Sequence, residues 1–404
     1  MTVEPDDGST TLRQRMADAL RESGDLRSPA WRAAVETVPR EAFIPGFFEA
    51  IDDPHQTMWR PITPELVGVR ERLELVYTDE TWVTQLNCSV SAFDTDVPVP
   101  GSPTSSSTLP GLVVRMLEEL QAEDRSRVLE IGTGTGYSTA LLCARLGQDL
   151  VTSIEVDPAV AGRAKQGLAQ IGYAPELVVG DGLLGHQPGA LYDRVIATCS
   201  VRHIPASWIT QTRPGGLILT TMLGWLGASS GLVRLEVTGD GTAEGVFLGG
   251  TDSFMPARPH AAPVLGDDIY GWIDEAETSE RGTDVGPEIL DPWEGWATLF
   301  IAQLAAPDAQ VFTFGTDGGP MLHHVVDAGR HAVAIPDAPP ESSAVVRQAG
   351  AIDLWDPIEA AIGEWRVAGS PSLDQFRISV TPEAQTVWHG DPAGPLSWKL
   401  PTIK

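Results

Sequence analysis

Hydrophobic positions recur along this chain with two different periods. Leu12, Met16, Ala19 and Leu20 fall at helical spacing and predict a helix over 12–23. Pro29 suits the first turn of a second helix with its body at 31–38. Residues 39–45 read as a turn and 54–64 as a loop, and 82–87 predicts a short strand. Residues 94–110 are rich in proline, serine and threonine. They read as a long loop, either functional or mobile.

From residue 112 the pattern becomes regular. Helical segments at 112–120, 139–145, 158–171 and 205–212 alternate with short apolar runs at 128–131, 151–155, 177–179, 192–198 and 217–221. A turn is expected at Pro214-Gly215-Gly216. Such alternation predicts an α/β fold with a mostly parallel twisted sheet and helices on both faces. Beyond about residue 225 the character changes. Runs at 232–238 and 243–248 flank Gly239-Asp240-Gly241 and predict a hairpin that closes the sheet. A proline-rich linker at 257–263 leads to short strands at 311–314, 332–335, 376–380 and 386–389, and to helices at 293–304 and 359–365. The expected division is 1–255, helical lead-in and catalytic domain, and 256–404, a smaller α+β domain for peptide recognition.

Charge narrows the partners. The net charge is -28, and Lys165, Lys399 and Lys404 are the only lysines. Such a chain repels phosphate backbones, so nucleic acid is excluded as a partner and a neutral or cationic peptide suits better. Cys88, Cys143 and Cys199 are too scattered for a disulfide framework. No apolar run is long enough to span a bilayer, so no membrane partner and a cytoplasmic location are expected. His323, His324 and His331 have no nearby cysteine, and no metal site is expected. Trp355, Trp365, Trp388 and Trp398 fit either a core or a peptide groove.

The densest chemistry lies at Glu130-Ile131-Gly132-Thr133-Gly134-Thr135-Gly136, between a strand and a helix. Alternate glycines permit a tight turn and close approach of a ligand to the backbone. The spacing is not GxGxxG, and the lysine of a phosphate-binding loop is missing. Glu130 disfavours a pyrophosphate and favours a cationic or amino-bearing ligand. Glu155 ends the second strand, 23 residues after Gly132, at the offset where an acid accepts hydrogen bonds from ribose hydroxyls. Asp157 is the alternative acid. Asp181, in Gly180-Asp181-Gly182, ends the third strand and can accept from an adenine amino group. His203 follows the fourth strand and either shapes a pocket or is structural.

This constellation resembles the class I S-adenosylmethionine-dependent methyltransferases. Over 105–221 it is similar to the protein-L-isoaspartate O-methyltransferase family, through Ser107-Thr108-Leu109-Pro110, 128–138, 153–157, Gly180-Asp181-Gly182, Tyr192-Asp193, Ile204-Pro205 and 211–216. Val38-Pro39-Arg40-Glu41-Ala42-Phe43-Ile44-Pro45 resembles the family's lead-in. The resemblance implies a Rossmann-like fold, S-adenosyl-L-methionine as cofactor (S-adenosyl-L-homocysteine as product), and methyl transfer to a peptide carboxylate. It assigns Glu130, Gly132, Thr133, Gly134, Gly136, Glu155, Asp181 and Gly182 to the cofactor. Thr108, assisted by Ser107, takes the place of the family's Ser-x-Pro serine and orients the acceptor carboxylate. A helix N-cap is the competing role for either hydroxyl. The extra C-terminal segment is similar to the diverged branch that acts on ribosomally made peptides, alongside ATP-grasp ligases or lanthipeptide synthetases. That likeness implies a modified precursor peptide as substrate, an aspartimide as outcome and a peptide-cyclising enzyme as partner. The alternative implied by the family is repair of L-isoaspartate in damaged proteins.

Overall fold

The computed structural model describes residues 8–401 except 52–56, 228–229, 251, 292–294, 316–320 and 340–342. The chain divides into two compact units, Met1–Thr198 with Ser207–Leu219, and Cys199–Ala206 with Thr220–Lys404.

The first unit opens with α1 (Ser9–Ser23) and α2 (Pro29–Thr37), the latter capped by Ser28, whose hydroxyl accepts from Trp31 N–H. Strands β1 (Phe47–Ile51) and β2 (Met58–Ile62), helices α3 (Pro64–Val67) and α4 (Val69–Val76), and strands β3 (Trp82–Leu86), β4 (Val99–Pro100) and β5 (Pro103–Ser107) follow. The strands form an antiparallel sheet in the order β4-β2-β1-β3-β5. Two loop expectations are therefore corrected. Residues 58–62 are a strand that tolerates Pro61 because β4 pairs only with Met58 and Trp59. Residues 103–107 are an edge strand, not loop. Its inward positions Ser105 and Ser107 are buried by hydrogen bonding and not by apolar contact, so no hydrophobic alternation marks it.

Helix α5 (Pro110–Glu119) leads into the parallel core: β6 (Val128–Ile131), α6 (Tyr137–Leu146), β7 (Val151–Glu155), α7 (Pro158–Gln170), β8 (Glu176–Val179), β9 (Tyr192–Val201), α8 (Ala206–Thr210) and β10 (Thr212–Leu223). Strand order is β8-β7-β6-β9-β10, with β6 parallel to β7 and β9, and β7 parallel to β8. Every residue of β6 and β7 is buried, as expected for parallel strands covered on both faces. This is the expected Rossmann-like α/β arrangement. The turn expected at 214–216 lies inside β10. Gly215 adopts φ +74°, which lets the strand continue through a kink.

In the second unit, β11 (Ser230–Gly239) and β12 (Thr242–Leu248) form the expected hairpin. Helix α9 (Asp267–Glu275), β13 (Ser279–Gly282), α10 (Trp296–Ala305), β14 (Gln310–Gly315), β15 (Met321–Asp327), β16 (Ala332–Asp337), β17 (Val345–Gly350), α11 (Trp355–Val367), β18 (Arg377–Val380), β19 (Gln385–Trp388) and β20 (Ser397–Lys399) complete it. One sheet runs β10-β11-β12-β18-β19-β20 and a separate antiparallel sheet runs β13-β17-β16-β15-β14. Trp355 is wholly buried, so it belongs to the core. Trp365, Trp388 and Trp398 are half-buried. Among the described residues no cluster of histidine, cysteine, aspartate or glutamate could hold a metal, and no helix is long and apolar enough to cross a membrane.

This unit grips its own segment 199–206 closely. Ser200 exchanges backbone bonds with Met255 and Ala257. Arg202 bonds Pro307 O and Asp308 and lies 3.6 Å over the Trp225 ring. Gln385 clamps both backbone groups of Ile204, accepting from its N–H at 2.8 Å and donating to its carbonyl at 2.7 Å. The His203 and His260 rings meet at 4.5 Å, tilted by 48°. Burial, then His203, then Arg202 push the His260 pKa down to about 4, so both the ring and its bond from Arg202 N–H require the neutral form.

Candidate active site

The glycine-rich turn is held from below by β7. Gly132 N–H and Thr133 N–H both donate to Ile154 O, at 2.8 and 3.1 Å, and Gly136 N–H donates to Thr133 O. Gly132, Gly134 and Gly136 all have positive φ. At Gly132 the space is also decisive, because a Cβ would lie 2.9 Å from Thr198 Oγ1. Thr198 in turn donates to the carbonyls of Ile131 and Gly132.

Beneath the turn lies a fully buried carboxylate. Glu130 Oε2 accepts from Thr139 Oγ1 and, at 2.7 Å, from Ser153 Oγ, which also bonds Thr133 Oγ1 at 2.6 Å. Glu130 Oε1 is buried with no hydrogen-bond partner. Burial pushes the Glu130 pKa up, against the nearby hydroxyls of Ser138, Thr139 and Ser153 that pull it down. Ser153 explains why a polar residue occurs within an otherwise covered strand: it anchors this carboxylate.

Glu155 is brought onto the turn itself. Its Oε2 accepts from Gly134 N–H at 2.9 Å and its Oε1 from Asp157 N–H at 3.0 Å. Asp157 serves a different purpose, capping α7 by accepting from Ala159 and Val160 N–H. The loop carrying Asp181 is tied to the same place, since Gly180 N–H donates to Glu155 O at 2.9 Å. Asp181 Oδ1 accepts from Leu183 N–H, and a Cβ on Gly182 would lie 2.4 Å from Ile131 Cγ2. Three acids thus stand at the carboxyl end of adjacent parallel strands, the ligand edge of an open α/β sheet.

The hydroxyl loop reaches the same edge: Ser106 O lies 3.7 Å from where a Gly134 Cβ would be. The capping role is not what Ser107 and Thr108 perform. Leu109 occupies the N-cap of α5 with no side-chain cap bond, while Asp79 accepts from Gly111 N–H at 2.7 Å and Thr81 from Leu109 N–H. Ser107 is turned inward to Arg40, which sequence reasoning passed over. The fully buried Arg40 guanidinium donates to the carbonyls of Val76, Thr78, Glu80, Ser107 and Thr108, and faces the Tyr137 ring at 5.8 Å. Burial lowers its pKa to about 10, still charged at neutral pH. Arg40 therefore binds the lead-in, the 76–80 segment and the hydroxyl loop together. Its position in the lead-in motif was the available signal.

A family model described as protein-L-isoaspartate(D-aspartate) O-methyltransferase matches residues 76–241. A protein-L-isoaspartate O-methyltransferase of Methanoculleus marisnigri is 37% identical over 181 residues, covering 45% of this chain and 76% of the relative. The chain belongs to the protein-L-isoaspartate O-methyltransferase family. Another relative so named, from Rhodopseudomonas palustris, is 32% identical over 56% of this chain and 75% of its own length. Coverage of a third, from Methylibium petroleiphilum, is 55% of its length. A solved structure titled protein-L-isoaspartate O-methyltransferase aligns over 94% of this chain and all of its own with a TM-score of 0.53, at 20% identity, and supports the fold.

Members are S-adenosylmethionine-dependent carboxyl O-methyltransferases, and this chain's cofactor is S-adenosyl-L-methionine. The residues present fit that group. It carries an α-amino group, ribose hydroxyls and an adenine amine, all donors, alongside a cationic sulfonium. The edge offers the orphaned Glu130 Oε1, the Glu155 and Asp181 carboxylates, and a turn too tight at Gly132 for a side chain.

Proposed function

We propose that this protein esterifies an L-isoaspartyl carboxylate in peptides or proteins, the activity its relatives' names state. Glu155 and Asp181 are assigned to ribose and adenine, Glu130 to the amino-bearing end, and Gly132, Thr133, Gly134, Gly136 and Gly182 to the backbone cradle. Bound S-adenosyl-L-methionine supplies an electrophilic methyl carbon. A carboxylate is already ionised near pH 7, so the protein needs no general base. Its task is to align the acceptor oxygen and exclude water. Thr108 is assigned to orient that oxygen through its hydroxyl, with Ser107 and Arg40 holding the loop. The observation that carries this reading is the hydroxyl-x-proline loop lying against Gly134 with its helix-capping duty taken by Asp79.

A second reading is methylation of an aspartate in a modified precursor peptide, with residues 256–404 as its recognition domain and a peptide-cyclising enzyme as partner. What favours it is that residues 242–404 lie beyond the family match and that threonine stands where the family carries serine. Incubation with S-adenosyl-L-methionine and a linear isoaspartyl peptide separates the two. Base-labile methyl ester on that peptide is the expected result. No ester there, but ester on a constrained aspartyl peptide, supports the second reading and defeats the first.

A further inference from the structure

Gln85 is 1% exposed and lies in β3 where the pairing with β5 slips twice, between Val83 and Gln85 and again between Gln85 and Leu86. Such bulges re-aim a side chain out of the regular alternation. Here the re-aimed amide reaches two elements of the site at once. Its Nε2 donates to Asp157 Oδ2 at 3.5 Å, and its Oε1 accepts from Thr104 Oγ1 at 3.0 Å. Asp157 N–H is bonded to Glu155 Oε1, and Glu155 Oε2 to Gly134 N–H. Thr104 belongs to β5, which runs directly into Ser107 and Thr108, and its hydroxyl also accepts from Cys88 N–H at 2.9 Å. A path of hydrogen bonds, carried covalently across Asp157 from its N–H to its carboxylate, therefore runs from the glycine turn through Glu155, Asp157 and Gln85 to the strand that carries the acceptor loop.

A core glutamine with both ends engaged costs nothing in unmet bonds, but an apolar residue of the same size would cost less to bury. The bulge that delivers Gln85 also breaks two steps of the β3–β5 ladder. We propose that Gln85 is a positioning residue coupling the cofactor-binding acids to β5, so that cofactor binding orders the acceptor loop before peptide arrives. This rests on Glu155 being a cofactor ligand.

The test is amide hydrogen exchange of the full chain with and without S-adenosyl-L-homocysteine, alongside calorimetric affinity. In the wild type, ligand should slow exchange at 132–136 and, by about fivefold, at 104–108. In Gln85→Met the protection at 132–136 should persist while that at 104–108 disappears. Thr104→Val, which cuts the far side of the relay and also removes the acceptor of Cys88 N–H, should do the same with affinity within about twofold of wild type, and carries the test if Gln85→Met does not fold. Gln85→Glu keeps the acceptor for Thr104 but sets a second carboxylate against Asp157. It should weaken ligand binding more at pH 8 than at pH 6. A purely structural Gln85 would lower the melting temperature in these variants and leave ligand-induced protection at 104–108 intact, which overturns the proposal. Absence of protection at 132–136 in the wild type overturns it together with the assignment of Glu155. Protection there but not at 104–108 overturns the coupling alone.

Discussion

Glu155→Gln is the most discriminating single change at this site, because it preserves shape and removes one acceptor. The carboxylate accepts from two backbone N–H groups that lie on opposite oxygens, Gly134 at 2.9 Å and Asp157 at 3.0 Å. A carboxamide offers one oxygen and one NH2. Whichever way it turns, one of those two N–H groups meets another donor. The residue is 8% exposed, so water is poorly placed to repair the loss. Losing one charge-assisted bond and stranding a donor costs about 1.5–3 kcal/mol. The glycine turn is shaped by that bond, and the same carboxylate is assigned to the ribose hydroxyls. The intramolecular part of that cost falls on the free and bound protein alike and lowers the melting temperature. The reshaped turn and the lost ribose acceptor appear in binding, as a loss of roughly 10- to 100-fold in affinity for S-adenosyl-L-homocysteine. Titration calorimetry measures it, with the melting temperature of the free protein as a companion. Glu155→Ala, which leaves both backbone donors unmet where Glu155→Gln leaves one, should be up to about tenfold worse than Glu155→Gln. A Gln variant that binds within about twofold of wild type would refute the reasoning, because neither the shape of the turn nor the ribose contact would then depend on the carboxylate.

Three further outcomes are expected. Folding favours the protonated form of Glu130, whose pKa burial raises, so its ionised form costs stability at any pH above the folded value. Glu130→Gln should raise the melting temperature of the cofactor-free protein at pH 8, with the gain shrinking on acidification; a lower value at pH 8 contradicts this. Thr108→Val should lower turnover by about tenfold or more while leaving cofactor affinity within about twofold, and equal losses in both would return Thr108 to a structural role. His260 resists protonation down to about pH 4, so the folded state loses stability as pH falls from the ordinary histidine range toward that value. His260→Gln keeps an acceptor for Arg202 N–H and should flatten that loss in urea titrations at pH 7 and pH 5; an unchanged slope would sink the assignment.

Sequence alone determined the parallel core and its chemistry, because there the signals are local. Buried parallel strands read as short apolar runs, Pro158 suits the first turn of α7, and glycines at alternate positions announce a turn that only positive φ permits. The placement of Glu155 and Asp181 at strand ends was legible for the same reason: one ends β7 and the other follows β8, strands whose neighbours are close in sequence. Tertiary structure decided the rest, where polar burial replaces apolar periodicity. Strand β5 is a run of serine and threonine whose inward hydroxyls are met by Thr84 and by Arg40, residues 21 and 67 positions away. The α5 cap came from Asp79, 32 residues upstream, and so released Thr108, which sequence could only weigh between two roles. Gln85 acquired its aim from two bulges, and the 199–206 segment acquired its clamp from Gln385, 181 residues beyond Ile204. Hydrogen-bond satisfaction of buried polar groups is a long-range condition, and no periodicity along the chain records which distant partner will meet it.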